Sequence, residues 1–247
     1  MEMPADTQDT AARHFDRHRW MEYPSAAMLA EALAQRIAGA LQGAVGANGR
    51  ASLAVSGGST PKRLFAELAR QEIDWPRVTV TLVDERFVPP ANARSNQKLV
   101  SEALLQGPAA SARFLPLWSD EGNVDQAAQA ATRRLAELPL PLDVCVLGMG
   151  ADGHTASFFG DAPNLPELLD NPDGQLVLPV VAPSAGEPRL TLSLQTICAA
   201  RLLALHIEGV SKRPVLVAAL ELPIAEAPPI RAVFERSGEP VHVFWAP

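Results

Sequence analysis

Ala51-Ser52-Leu53-Ala54-Val55-Ser56-Gly57-Gly58-Ser59-Thr60-Pro61 runs from a short apolar stretch straight into a turn of glycines and hydroxyls that ends on a proline. Residues 51–55 are too few for a helix and nearly all apolar, which predicts a strand buried on both faces. Pro61 fits the first turn of a helix, where its missing N–H costs nothing, and Thr60 suits the cap. Leu64, Phe65, Leu68 and Ala69 then repeat at helical spacing. A buried strand, a tight turn and an amphipathic helix form the repeating unit of an α/β sheet.

The same alternation continues on either side. Met28, Leu29, Ala32, Leu33, Ile37, Ala40 and Leu41 line one face of an earlier helix. Ser25 is its expected N-cap, and the glycines at 43, 46 and 49 are expected to end it. Downstream, residues 78–83 read as a strand ending at a charged loop, Asp84-Glu85-Arg86, and Leu99, Val100, Ala103 and Leu104 mark a helix. A short strand is expected at 114–117, a helix at 124–138, and a strand at 144–147 that stops at Gly148-Met149-Gly150. Further strands are expected at 176–181, 190–194 and 202–207, a helix at 211–220 and a last strand at 241–244. Apolar strands alternating with helices predict a mostly parallel sheet covered on both faces, with ligands bound beyond the carboxyl ends of its strands. The strands between 190 and 205 lie too close for helical crossovers, so an antiparallel portion is expected there. Pro223, Pro228 and Pro229 mark loops, but no linker divides residues 1–247, and one domain is expected.

Composition narrows the class of function. Lysine and arginine total 21 against 28 aspartates and glutamates, a net charge of −7, which disfavours sequence-independent binding to nucleic acid or an anionic membrane. No apolar run approaches the ~18 residues needed to cross a bilayer, and the first residues lack the basic-then-apolar pattern of a secretory signal. The two cysteines, Cys145 and Cys198, sit among apolar neighbours and read as buried free thiols. A soluble cytoplasmic protein is expected.

Three polar clusters directly follow predicted strands. In Ser56-Gly57-Gly58-Ser59-Thr60 the glycines admit a ligand close to the backbone, the hydroxyls can bond it, and the next helix offers free N–H groups. That suits a phosphate, although an ordinary strand-to-helix turn has the same look, and neither a Walker A loop nor a dinucleotide fingerprint is present. In the second cluster Arg86 can supply fixed positive charge, with Asp84 or Glu85 holding it or binding sugar hydroxyls. The third is Gly148-Met149-Gly150-Ala151-Asp152-Gly153-His154-Thr155-Ala156-Ser157. Its glycines cost chain entropy and make sense where backbone bends around a ligand. His154 is the candidate acid–base group, an imidazole being suited to proton transfer near neutral pH. His14 and His18 fall in a polar N-terminal segment, and His206 and His242 in predicted strands, so these four read as non-functional. Arg189 and Lys212 are further candidate cations. Lys212 opens a helix against its dipole, a conflict that a shared anionic ligand removes. No HExxH, paired-cysteine or Gly-x-Ser-x-Gly pattern points to a metal or an acyl-enzyme.

With these residues in view, the chain resembles the 6-phosphogluconolactonases. The matching segments are Ser56-Gly57-Gly58-Ser59-Thr60-Pro61, Asp84-Glu85-Arg86, Ser95-Asn96, the stretch from Gly148 through His154 to Phe158-Phe159, Pro188-Arg189-Leu190-Thr191-Leu192, and Gly209-Val210-Ser211-Lys212. They run in family order across almost the whole chain. One departure is Gly160, where the family's histidine motif commonly has a proline. The resemblance implies a modified Rossmann-like sheet shared with glucosamine-6-phosphate deaminases and isomerases, with no nucleotide and no metal required. It implies a sugar-phosphate lactone as substrate, phosphate binding by Ser56, Gly57, Gly58, Ser59 and Lys212, and catalysis by His154. Asp84, Arg86, Asp152 and Arg189 complete the expected site, with the two arginines unassigned between phosphate and oxyanion, and Asp152 either shaping the loop or orienting the imidazole.

A deaminase on the same scaffold is the nearest alternative. Thr155-Ala156-Ser157-Phe158 after the histidine is lactonase-like, whereas the deaminase pattern has an acid shortly after, and here the next acid is Asp161. Arg86 also replaces an aromatic typical of deaminases. A non-catalytic sugar-phosphate sensor is a third reading, which the lack of a basic or helix-pair DNA-binding region disfavours. Oligomeric state is not legible.

Overall fold

The first long helix is fixed by its ends. In the computed structural model, which describes residues 18–247, strand β1 (His18–Glu22) leads into helix α1 (Ala26–Asn48). The Ser25 hydroxyl accepts the Met28 N–H at 3.3 Å, as an N-cap should. The helix passes through Gly43 and Gly46 and stops only at Gly49, whose positive φ of 71° lets its N–H return to the Val45 carbonyl. The expectation that all three glycines end the helix is therefore corrected. The two internal ones are tolerated because Leu33, Ile37 and Leu41, on the face packed against the sheet, hold the helix.

The remaining elements follow in order. They are β2 (Ala51–Val55), α2 (Lys62–Leu68), β3 (Val78–Leu82), β4 (Asp84–Arg86), α3 (Asn96–Ala103), β5 (Arg113–Leu115), α4 (Val124–Leu135) and β6 (Val144–Leu147). Then come α5 (Leu165–Asp170), β7 (Val177–Val180), β8 (Arg189–Leu192), α6 (Leu194–Cys198), β9 (Leu202–Glu208), α7 (Lys212–Glu221), α8 (Ile230–Arg236) and β10 (Val241–Ala246). Seven strands form one parallel sheet in the order β1-β10-β9-β6-β2-β3-β5, with helices packed against it. β4, β8 and β7 form a small antiparallel sheet. The α/β class with a minor antiparallel portion is thus the observed one. β2 and β6 are buried throughout, which is why they read as plain apolar runs.

Several expectations are displaced. The antiparallel portion lies at 177–192 with residues 84–86, because the chain after β8 turns through α6 and returns to the parallel sheet at β9. Asp84-Glu85-Arg86 is a strand of that small sheet, not a loop. Pro61, not Thr60, is the N-cap residue of α2, with no side-chain bond to it. The fourth helix stops at Leu135, short of Pro139, which disfavours helical backbone before it. β1, α5, α6 and α8 are additional, so His18 belongs to a strand; His14 lies outside the described residues. Cys145 and Cys198 are both buried free thiols. Among the described residues no helix is long and apolar enough to cross a membrane.

The strand order locates the site. From β2 the chain steps outward through β3 to β5, then returns to the other side of β2 at β6 and steps away through β9 and β10. The loops after β2 and β6 therefore diverge at a switch point, where a crevice opens beyond the strand ends.

Candidate active site

Ser56 joins the two loops at this crevice. Its N–H donates to the Val146 carbonyl at 3.0 Å, and its Oγ accepts the Gly148 N–H at 3.3 Å. The cavity above them has a volume of about 190 Å³. Ser56, Gly57, Ser59 and Thr60 line it, so Thr60 stands at the cavity and does not cap α2. Gly58 turns the loop but does not reach the cavity wall. Gly57 is required by space: a Cβ there would lie 1.8 Å from Asn96 Oδ1.

Strand alternation separates the three residues of β4. Asp84 and Arg86 line the cavity, while Glu85 is fully buried away from it. Its carboxylate accepts the N–H groups of Asn96 and Gln97, each at 2.7 Å, and the Ser95 hydroxyl at 3.0 Å. Burial holds the Glu85 carboxyl above the usual range, an effect that these donors and the Arg86 N–H offset only in part. Glu85 thus caps α3 and does not touch a ligand. Glu85→Ala, which strands these donors in the interior, is expected to destabilise the fold by about 2–4 kcal/mol in urea unfolding. A loss under about 1 kcal/mol would show that the donors find other partners. The Asp84 carboxylate accepts the Ser157 hydroxyl at 2.7 Å, and its carbonyl accepts the Asn96 amide at 2.9 Å. Arg86 Nη1 donates to the Arg94 carbonyl, while its Nε is buried without a partner among the described residues.

The histidine loop closes on itself. The Gly150 N–H donates to the His154 carbonyl at 2.9 Å, and the Gly153 N–H to the Gly150 carbonyl at 3.2 Å. His154 Nδ1 lies 2.6 Å from Asp152 Oδ1, which also accepts the His154 backbone N–H at 3.2 Å. Burial tends to raise the Asp152 carboxyl, but its hydrogen bonds and attraction to His154 outweigh that and hold it below the usual range. With Nδ1 committed to a carboxylate, Nε2 carries the free lone pair of the neutral imidazole. Nε2 makes no hydrogen bond among the described residues, and the ring lines the cavity. The Thr155 hydroxyl ties the loop back to the Gly148 carbonyl at 2.8 Å, and the imidazole packs on Phe159 at 4.7 Å between ring centroids.

Arg189 and Lys212 bring charge from the other two walls. The Arg189 guanidinium lies 5.5 Å from the Phe159 ring centroid, donates to the Ala185 carbonyl at 2.7 Å and pairs with Glu187 at 3.4 Å. Its Nε is buried without a partner among the described residues. Lys212 Nζ donates to the Met149 carbonyl, which docks the start of α7 on the histidine loop. Burial lowers the Lys212 ammonium from its usual value, and attraction to Glu208 and Asp152 partly offsets this. Such a lysine gains from an anion beside it. Among the described residues no group of histidine, cysteine and carboxylate side chains is arranged to hold a metal ion.

The family profile described as "Glucosamine-6-phosphate isomerases/6-phosphogluconolactonase" matches residues 24–245. A 6-phosphogluconolactonase of Mesorhizobium japonicum is 51% identical over 232 residues, covering 93% of this chain and 96% of that protein. The chain belongs to the 6-phosphogluconolactonase family. Members of this family are lactone hydrolases. A 6-phosphogluconolactonase of Rhizobium meliloti is likewise 51% identical, over 92% of this chain and 97% of its own length. The crystal structure of a 6-phosphogluconolactonase from Shewanella baltica superposes with a TM-score of 0.90 at 40% identity, covering 93% of this chain and 98% of that one.

In this 6-phosphogluconolactonase-family chain the cavity thus collects Ser56, Gly57, Ser59, Asp84, Arg86, His154, Arg189 and Lys212. Asp152 stands behind the imidazole, and Gly58 stands outside. Three wall residues escaped the sequence reading. Asn96 opens α3 and carries a signal, since it follows Ser95 in a matching segment. Thr155 lies within the quoted histidine motif but was given no role. His206 looked like strand core and lines the cavity.

Proposed function

We propose that this chain hydrolyses 6-phospho-D-glucono-1,5-lactone to 6-phospho-D-gluconate, the lactone step of the oxidative pentose phosphate pathway, in the cytoplasm. The observation that carries the reading is the Asp152–His154 pair at 2.6 Å on a cavity that also holds Arg86, Arg189 and Lys212. A base and three cations around one small cavity suit an anionic, water-labile substrate. The full-length likeness to named 6-phosphogluconolactonases supports the substrate, and two buried free thiols fit a reducing compartment. The core running unbroken from Leu29 to Ala246 supports treating residues 1–247 as one domain.

In the mechanism, Ser56, Gly57, Ser59 and Lys212 anchor the phosphate, on a loop that Gly58 turns. His154 Nε2 takes a proton from water as the oxygen attacks the lactone carbonyl. The resulting oxyanion is stabilised by an arginine of the Arg86–Arg189 pair, a charge interaction stronger in the transition state than before it. On collapse the bond from the carbonyl carbon to the ring oxygen breaks, and the imidazolium returns its proton to that oxygen. No bond to the protein forms, and no proton is gained or lost by it. Asp84, held by Ser157, is placed to take up sugar hydroxyls or steady the arginines. Asp152 orients the imidazole and stabilises its charged form.

The test is release of 6-phosphogluconate from freshly made lactone near neutral pH, with spontaneous hydrolysis subtracted. Acceleration is expected; its absence, with ammonia released from glucosamine 6-phosphate instead, would replace the lactonase reading with a deaminase. Asp152→Asn is expected to lower kcat by about 10- to 100-fold. A normal kcat in this variant would remove Asp152 from the mechanism.

A further inference from the structure

The cavity wall carries a second histidine–carboxylate pair that the mechanism above leaves unused. His206 lies on β9, beside β6, and is 3% exposed. Its Nε2 sits 2.9 Å from Glu208 Oε1, a contact made possible because residues two apart share one side of a strand. Its Nδ1 makes no hydrogen bond among the described residues, although the ring lines the cavity. A ring nitrogen with no protein partner on a cavity wall is open to a donor or acceptor of a ligand. A surface or purely packing histidine has no need of this arrangement, whereas a binding histidine held by a carboxylate does.

The neighbouring charge identifies what the ring meets. His206 and Lys212 both line the cavity, and Glu208, bonded to His206 and attracting Lys212, backs them, so the pair and the lysine share one corner. That corner offers a cation, a fixed carboxylate and one unpartnered imidazole nitrogen. A phosphate monoester fits it in either ionisation state. Against a neutral imidazole, the P–OH of the monoanion donates to Nδ1; against an imidazolium, Nδ1–H donates to the dianion. One proton lies between the two groups in both cases, while Glu208 receives the Nε2–H throughout. We propose that His206, held by Glu208, is a phosphate-contact residue that shares this proton with the substrate's phosphate and sets the preference for phosphorylated lactones. The inference rests on the lactonase reading for the identity of the substrate, but not for the contact itself.

Two measurements test it on the full chain. The first compares kcat/KM for 6-phosphogluconolactone and for unphosphorylated glucono-1,5-lactone in the wild type and in His206→Phe, which keeps the ring volume and removes both nitrogens. The ratio of the two constants is expected to fall about 10- to 100-fold, the range for losing a hydrogen bond to a charged group. An equal loss on both lactones, as a structural role would give, or an unchanged ratio overturns the proposal. The second titrates 6-phosphogluconate by calorimetry, where the same variant should bind about 10- to 100-fold more weakly; unchanged affinity overturns the proposal. This arm reads His206 even where the wild type hydrolyses neither lactone, so failure of the function and failure of the contact are told apart. His206→Asn, which keeps a polar wall, carries the same comparisons where the phenylalanine variant does not fold, and a thermal melt shows which variant to use.

Discussion

His154→Ala is expected to lower kcat by about 10²–10⁴-fold, with KM changed by no more than a few-fold. The argument has two parts. The imidazole proposed as the acid–base group lines the cavity, its Nε2 makes no hydrogen bond among the described residues, and a carboxylate is fixed behind it. The cations lie elsewhere: Arg86 on β4, Arg189 on β8 and Lys212 on α7. Removing the ring therefore leaves the anion-binding walls standing and deletes only the proton transfer. What remains is the rate that positioning and charge stabilisation give to unassisted water. Initial rates over the spontaneous background measure it. Turnover near the wild-type value would end the role of His154, and a large rise in KM would make the ring a binding group.

Legibility in the sequence followed physical cause. β2, β6 and β9 were readable because strands buried on both faces are apolar at nearly every position, and that pattern needs no partner to be recognised. The crevice was readable for the same reason, since polar clusters directly after such strands mark its rim. β1 was not readable: two of its five residues are exposed, and its stability comes from a register with β10 about 220 positions away. The short helices α5, α6 and α8 have five to seven residues each, too few to show helical periodicity. β4 read as a loop because a run of three charged residues looks solvated. Its pairing with β8 buries Asp84 and Glu85 and sends them to opposite sides, and only that geometry shows Glu85 to be a helix cap.

The site divides in the same way. Ser56, His154 and Lys212 stand in loops or at a helix start, where their residue types are conspicuous. His206 sits inside a strand of apolar neighbours, and its sequence context is that of a packed core residue. Its partner Glu208 is only two positions on, and the i, i+2 spacing was the signal that could have found it. Here His206 and Glu208 face one side of the end of β9, six and four residues before Lys212 at the start of α7.

Gly150→Ala is expected to lower kcat by about 100-fold while leaving KM and the melting temperature close to the wild-type values. A Cβ at this position would lie 2.2 Å from His154 Nδ1, 2.3 Å from His154 Cε1 and 2.5 Å from Asp152 Oδ1. All three are side-chain atoms. The φ of Gly150 is not in the left-handed region, so alanine strains no backbone there. The molecule therefore escapes the clash cheaply, by swinging the imidazole and the carboxylate aside, and the cost to stability is small. The cost to chemistry is not. The groups that move are the proposed base and the carboxylate proposed to orient it, and a displacement on the order of 1 Å is expected to take Nε2 out of line with an attacking water. Gly57→Ala makes the contrast, because its Cβ would strike Asn96, whose amide and backbone N–H hold Asp84 and Glu85, so that change should reach the fold. For Gly150→Ala, kcat and melting temperature measured on one preparation decide the matter. A melting temperature that falls with unchanged kcat per folded molecule would mean that the loop backbone yields and the Asp152–His154 pair keeps its place.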